Sequence, residues 1–180
     1  MLCPSFMPPL LKVITAITLV IGFLCDPAVA LDTSAGVGLQ DRALFQERVD
    51  YTLTNQNGAD FHDQALSNTS FAGAAAKGAD FSGANLQGAI FTQGAFADAN
   101  FRGADLSDAL MDRADFTGTD LRDAVLIGVI ASGSSFARAQ VDGADFSDAL
   151  LDRDDQRKLC QEAEGLNPTT GVLTRDSLSC

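Results

Sequence analysis

The feature that most constrains this chain is a period of five residues. From Ala59 to Arg153 it divides without insertion into nineteen consecutive pentapeptides, among them ADFSG, ANLQG, ANFRG and ADFTG. The third position is held by Phe61, Leu66, Phe71, Phe81, Leu86, Phe91, Phe96, Phe101, Leu106, Met111, Phe116, Leu121, Leu126, Phe136, Val141, Phe146 and Leu151, with Ala76 and Ala131 in the remaining repeats. The first position is small, mostly Ala; Asp or Asn recurs at the second, and Gly, Asp or Arg at the fifth. An α-helix advances about 100° per residue, so a step of five rotates the apolar position by about 140° and leaves no stripe. A straight strand alternates faces, so an odd step sends successive Phe side chains to opposite sides. The pattern is satisfied if the chain turns a corner once per pentapeptide. The first and third residues then face inward, and the second, fourth and fifth face water. Gly at the fifth position suits such a corner, because it takes positive φ without steric cost.

Composition narrows the function classes. The chain of 180 residues has 16 Gly, 12 Phe, no Trp and one His, a bias that repetition explains. Its net charge of −12 excludes a nucleic-acid partner, since affinity for a phosphate backbone needs a basic surface. His62, the sole imidazole, falls at a fourth position that should face water, and no Ser or Cys stands at a catalytic spacing from it. The glycines follow the repeat instead of forming a phosphate loop, and no four-ligand metal set is legible. The chain is therefore read as non-enzymatic, with no catalytic residue, metal or cofactor assigned.

Residues 1–30 read as a secretory signal: Lys12 precedes the apolar run Val13 to Leu24, and Pro27 precedes Ala28-Val29-Ala30, predicting cleavage between Ala30 and Leu31. The apolar run is shorter than the roughly 20 residues of a membrane span, so no stable span is expected after processing. Cys25 follows Leu24 where a lipidated Cys would follow a small residue. Processing discards Cys3 and Cys25 and leaves Cys160 and Cys180, 20 residues apart, most simply a disulfide in an oxidising compartment. After Arg153 the repeat stops, and Asp154 to Glu164, closed by Gly165, predicts a short helix.

The run A-(D/N)-(F/L)-x-G resembles the pentapeptide-repeat family. The resemblance implies an all-β solenoid, a right-handed quadrilateral β-helix with four pentapeptides per coil. Nineteen repeats then make about 4.75 coils, roughly 23 Å at sheet spacing. VDYTL and TNQNG, upstream in the same phase, are read as an imperfect first coil in which inward Gln56 needs a hydrogen-bond partner. The stretch from Leu159 to Cys180 is similar to the C-terminal end of the thylakoid-lumen members, which carry a disulfide there. The implied organisation is a signal at 1–30, an N-terminal segment and degenerate coil at 31–58, the β-helix at 59–153 and a helical, disulfide-closed cap at 154–180. The short signal implies a cyanobacterial-type lumenal or periplasmic protein.

The coil length implied by the family sorts the second positions into outward columns. One holds Asp60, Asp80, Asn100, Asp120 and Gln140; another holds Ser70, Ile90, Leu110, Ile130 and Leu150. Three functions follow. The first is a structural or interaction module, with Ile90, Leu110, Ile130 and Leu150 as the surface for an unidentified protein partner or a second copy, unless the segment bearing Leu39, Leu44, Phe45 and Val49 covers them. The second is DNA mimicry toward DNA gyrase, as some acidic members perform, through the acidic column. The third is a redox role for Cys160 and Cys180, for which neither a C-x-x-C motif nor a basic environment is present.

Overall fold

The computed structural model describes residues 49–180. The signal expected at 1–30, the expected cleavage between Ala30 and Leu31, and Leu39, Leu44 and Phe45 lie outside the described residues. Two short parallel strands, β1 (Ile130–Ala131) and β2 (Leu150–Leu151), are followed by the helices α1 (Arg153–Glu162) and α2 (Thr174–Ser177). Upstream, single parallel bridges join second positions 20 residues apart, from Asp50 with Ser70 through Val125 with Asp145, and β1 pairs with β2 in the same register. One coil therefore contains four pentapeptides, and the stacked coils form a β-helix.

The backbone accounts for each turn. The third N–H donates to a second-position carbonyl of the next coil, as from Phe61 to Asp80 at 2.7 Å, while the Asp80 N–H donates back to Ala59 at 2.9 Å. Within the corner the next first N–H donates to the third carbonyl, as from Ala84 to Phe81 at 3.1 Å. Every fifth position from Leu53 to Asp148 has positive φ, near 60° to 70° at its glycines, and ten of the twenty are not Gly. Six of those ten are Asp or Asn, which tolerate this region because their short polar side chains bond locally.

Third-position side chains fill the axis. Phe71, Phe81, Phe91, Phe96, Phe101 and Phe116 are fully buried. Rings one coil apart lie flat on each other, as Phe81 on Phe101 at 4.7 Å and 1°, while rings in different columns meet edge-on, as Phe91 with Phe96 at 5.0 Å and 84°. Ala131 is compensated by Val129, buried at the neighbouring first position. Polar residues at first positions are also satisfied: the Thr119 hydroxyl donates to the Phe116 carbonyl at 2.8 Å, and Ser134 donates to Met111. The degenerate coil forms, with Asn55 bridged to Ala75 and the Gln56 amide donating to Thr54 Oγ1 at 3.1 Å. The ladder is built from backbone groups, so it tolerates poor side chains at its end.

Three sequence expectations need correction. Gln64, at a first position expected to face inward, is exposed, and its side-chain amide donates to the Asp60 carbonyl at 3.1 Å, because a long polar side chain does not fit beside the core. Leu151, expected in the core, is only partly buried, because it belongs to the last turn before α1. The second positions Val125 and Asp145, expected to face water, are buried at 7% and 0% exposure, because the chain beyond α1 folds back over that face. Helix α1 spans Arg153–Glu162, beginning one residue before and ending two residues before the expected 154–164. Its Leu159, with Ala163 and Leu178, extends the buried core past the last coil. No helix among the described residues is long and apolar enough to cross a membrane.

Candidate interaction surface

The second position has a clear structural task. At all ten places where it is Asp or Asn, its side-chain oxygen accepts the N–H of the residue two further on, from Asp50 to Thr52 at 2.8 Å through Asp145 to Ser147 at 2.9 Å. This bond braces the corner, which is why Asp and Asn recur in the repeat. Ile90, Leu110, Ile130 and Leu150 occupy the same position and cannot make it. They stack in one column, bridged in turn, and run outward along one face. Leu110 is 37% and Leu150 60% exposed, while Ile90 and Ile130 are half-buried. The other second positions without Asp or Asn are small (Ala65, Ala75, Ala95), polar (Ser70, Ser135, Gln140) or covered (Val125).

The acidic column is engaged within itself. Asn100 Nδ2 donates to Asp80 Oδ1 at 3.0 Å, and Arg122 clasps both carboxylate oxygens of Asp120. The Ser82 hydroxyl, donating at 2.6 Å, holds the Asp80 carboxyl below its ordinary pKa, and Arg122 does the same for Asp120. His62 stands 57% exposed, its Nδ1 3.1 Å from the Ser82 carbonyl and its Nε2 3.0 Å from Asp63 Oδ2. Carboxylates whose pKa is lowered in the folded protein stabilise it above their unfolded value of about 3.9, and lose that contribution as pH falls through the lower folded values. Urea midpoints measured from pH 6 to pH 2 should therefore stay level to about pH 4 and then drop. A midpoint that rises on acidification would contradict this assignment.

One buried side chain, Asn167, joins the tail to the rod beside the bonds from the Phe146 N–H to Ser177 Oγ at 2.9 Å and from the Gly143 N–H to the Glu164 carbonyl at 2.8 Å. Asn167, with no exposed surface, donates through Nδ2 to the carbonyls of Ala124 at 3.0 Å and Gly143 at 2.8 Å, and its Oδ1 accepts the N–H groups of Thr169 and Thr170, both at 2.9 Å. Gly165 permits this approach, since a Cβ there would stand 3.0 Å from the Gly143 nitrogen. Asp145 is enclosed beneath the tail. Burial pushes its carboxyl up, yet the Ser147 hydroxyl, Thr170 and the Ser147 amide together hold it below the ordinary value. Cys160 and Cys180 are bonded, their Cα atoms 5.6 Å apart, and Cys180 is exposed. By chain-entropy reasoning a loop of this length contributes about 3 kcal/mol. Cys160→Ser should accordingly raise protease sensitivity after Arg153 while leaving the coils folded; a loss of all β-helical signal would show that the bond holds the rod itself.

A model of pentapeptide repeats matches residues 57–93, 95–130 and 114–153 in 8 copies. A pentapeptide-repeat protein of the Arabidopsis thaliana thylakoid lumen is 37% identical, with 73% of this chain and 85% of that one covered and a TM-score of 0.36. A pentapeptide-repeat protein from the cyanobacterium Cyanothece is 16% identical, with 63% and 87% covered and a TM-score of 0.46. QnrB1, a plasmid-mediated fluoroquinolone resistance protein, is 17% identical, with 59% and 75% covered and a TM-score of 0.29. Comparison with curated proteins gives no match. The repeat-model match and the 37% identity to the Arabidopsis protein together show that the chain belongs to the pentapeptide-repeat family.

Proposed function

We propose that this chain is a non-catalytic interaction module, exported to the thylakoid lumen of a cyanobacterial-type cell or to the periplasm. There its right-handed, quadrilateral β-helix displays the Ile90–Leu150 stripe to a protein partner. One observation carries the reading: four large apolar side chains stand, in one outward column, where Asp or Asn would brace the corner. A hydrogen bond of that kind contributes about 0.5–1.5 kcal/mol, so each of the four gives up stability, and a contiguous apolar stripe along an outer face marks a contact surface.

Export is supported by the Lys12 to Ala30 pattern, by the Cys160–Cys180 bond, which persists in oxidising compartments, and by the identity to a lumenal protein. The full-length chain, tagged at its C-terminus and expressed in a cyanobacterium, should be recovered from the lumen or periplasm with Leu31 as its first residue. Recovery of uncleaved protein from the cytoplasm would overturn the export assignment.

A further inference from the structure

We propose that the stripe is the contact face of a parallel, two-fold dimer of this chain, a reading that rests on the stripe being a docking surface. The two rims of the stripe carry opposite charges. The face carrying Leu110 is bounded by the corner ending at Asp108 and by the corner ending at Arg113; the face carrying Leu150 is bounded by the corner ending at Asp148 and, where a further corner would stand, by Arg153, the first residue of α1. At Ile130, between them, both rim positions are Gly, at 128 and 133. One side of the stripe thus carries Arg113 and, at the start of α1, Arg153, and the other carries Asp108 and Asp148, two coils or about 9.6 Å apart.

The two arginines are available for an outside contact. Lys77, Arg102, Arg122, Arg157 and Lys158 each lie against a carboxylate, whereas Arg113 and Arg153, like Arg138 and Arg175 away from the stripe, have no ion-pair partner among the described residues. A purely acidic partner would meet Asp108 and Asp148, and a purely basic one would meet the arginines. The partner that fits both rims carries both signs at the same spacing, and a second copy does.

Symmetry then selects the arrangement. A two-fold axis parallel to the rod sets each residue opposite its own level and exchanges the rims. Arg113 then faces the second copy's Asp108, Arg153 faces its Asp148, and the apolar columns meet along the middle. A two-fold axis across the rods sets like rims together and leaves Arg113 opposite Gly133. Four side chains over about 14 Å offer far less than the ~800 Å² per partner of a stable complex, so the dimer is weak and dissociates on dilution.

Sedimentation equilibrium of the purified protein over a wide concentration range should show a reversible dimer. R113D/R153D and D108R/D148R should each associate at least tenfold more weakly, and an equimolar mixture of the two should recover a dimer, because each all-acidic face then meets an all-basic one. Both variants should fold, which circular dichroism checks, since corners equivalent to 108, 113 and 148 already hold Asp98, Asp123 and Arg138, and an Asp at 153 stands at the N-terminus of α1, where a negative charge is favourable. In a Leu110→Cys variant the introduced thiol should crosslink to its own counterpart in the second copy. A wild type that is monomeric throughout, double variants that dimerise unchanged, or a crosslink running instead to position 130 overturns the proposal. If the wild type is monomeric but a photo-crosslinker attached to the introduced thiol of the Leu110→Cys variant captures another protein in the compartment, the dimer falls and the docking reading stands. If it captures only residues 31–48 or nothing, both fall.

Discussion

Phe101→Asp is expected to leave no folded rod. Phe101 has no exposed surface and lies flat on Phe81 at 4.7 Å, with Phe91, Phe96 and Phe116 within 6.2 Å of its ring centre. Deleting such a ring alone costs about 3–5 kcal/mol. An unpaired carboxylate in its place adds a desolvation cost of several kcal/mol, and the sum reaches the roughly 5–15 kcal/mol that hold a typical domain together. Arg102, the next residue, is 55% exposed and reaches Asp123 at 3.2 Å. An exposed ion pair contributes at most about 1 kcal/mol, so Arg102→Ala should shift the urea midpoint only slightly. Comparable losses at the two neighbours would mean that the inward and outward positions have been assigned wrongly.

Asn167→Ala should release the tail without melting the coils. The substitution leaves the Gly143 carbonyl and the Thr169 and Thr170 amides without their partner, while the Ala124 carbonyl keeps the Asp145 N–H. Each such bond contributes about 0.5–1.5 kcal/mol, and a buried group left unmade costs about 1–3 kcal/mol, so a loss of roughly 3 kcal/mol is expected, confined to the segment beyond α1. Hydrogen exchange should show amides of residues 165–174 losing protection while Phe81 and Phe101 keep theirs. Unchanged protection in the tail would mean that the Ser177 and Glu164 bonds to the last coil, with Leu178 and the disulfide, hold it down without Asn167.

The two variants also separate what the sequence discloses from what it hides. Phe101 is legible because its role repeats: a bulky side chain every five residues has one physical solution, and nineteen copies state it. The outward columns follow once the coil has four pentapeptides, and the bridges from Ile90 to Leu110 to Ile130 reproduce that register. Asn167 occurs once. Nothing in an Asn-Pro pair signals that its amide reaches carbonyls 43 and 24 residues away, and so the burial of Val125 and Asp145 beneath the tail was not legible either. Local compensation was hidden for the same reason. Ala131 looks like a defect until Val129 is seen beside it, and Thr119 and Ser134 look like misplaced polar residues until their hydroxyls are seen donating to corner carbonyls. The recurrent Asp and Asn were readable as corner chemistry, and their bond to the residue two further on makes the four exceptions at Ile90, Leu110, Ile130 and Leu150 informative.

The most direct test of the stripe as a contact surface is to replace Leu110 and Ile130 together with Ser, and to measure both the unfolding free energy and the crosslinked species recovered from the native compartment. Outward side chains that serve contact predict an unfolding free energy within about 1 kcal/mol of the wild type, together with loss of the crosslinked species. A fall in stability on the scale of a core truncation, or a crosslinking pattern that does not change, would contradict it.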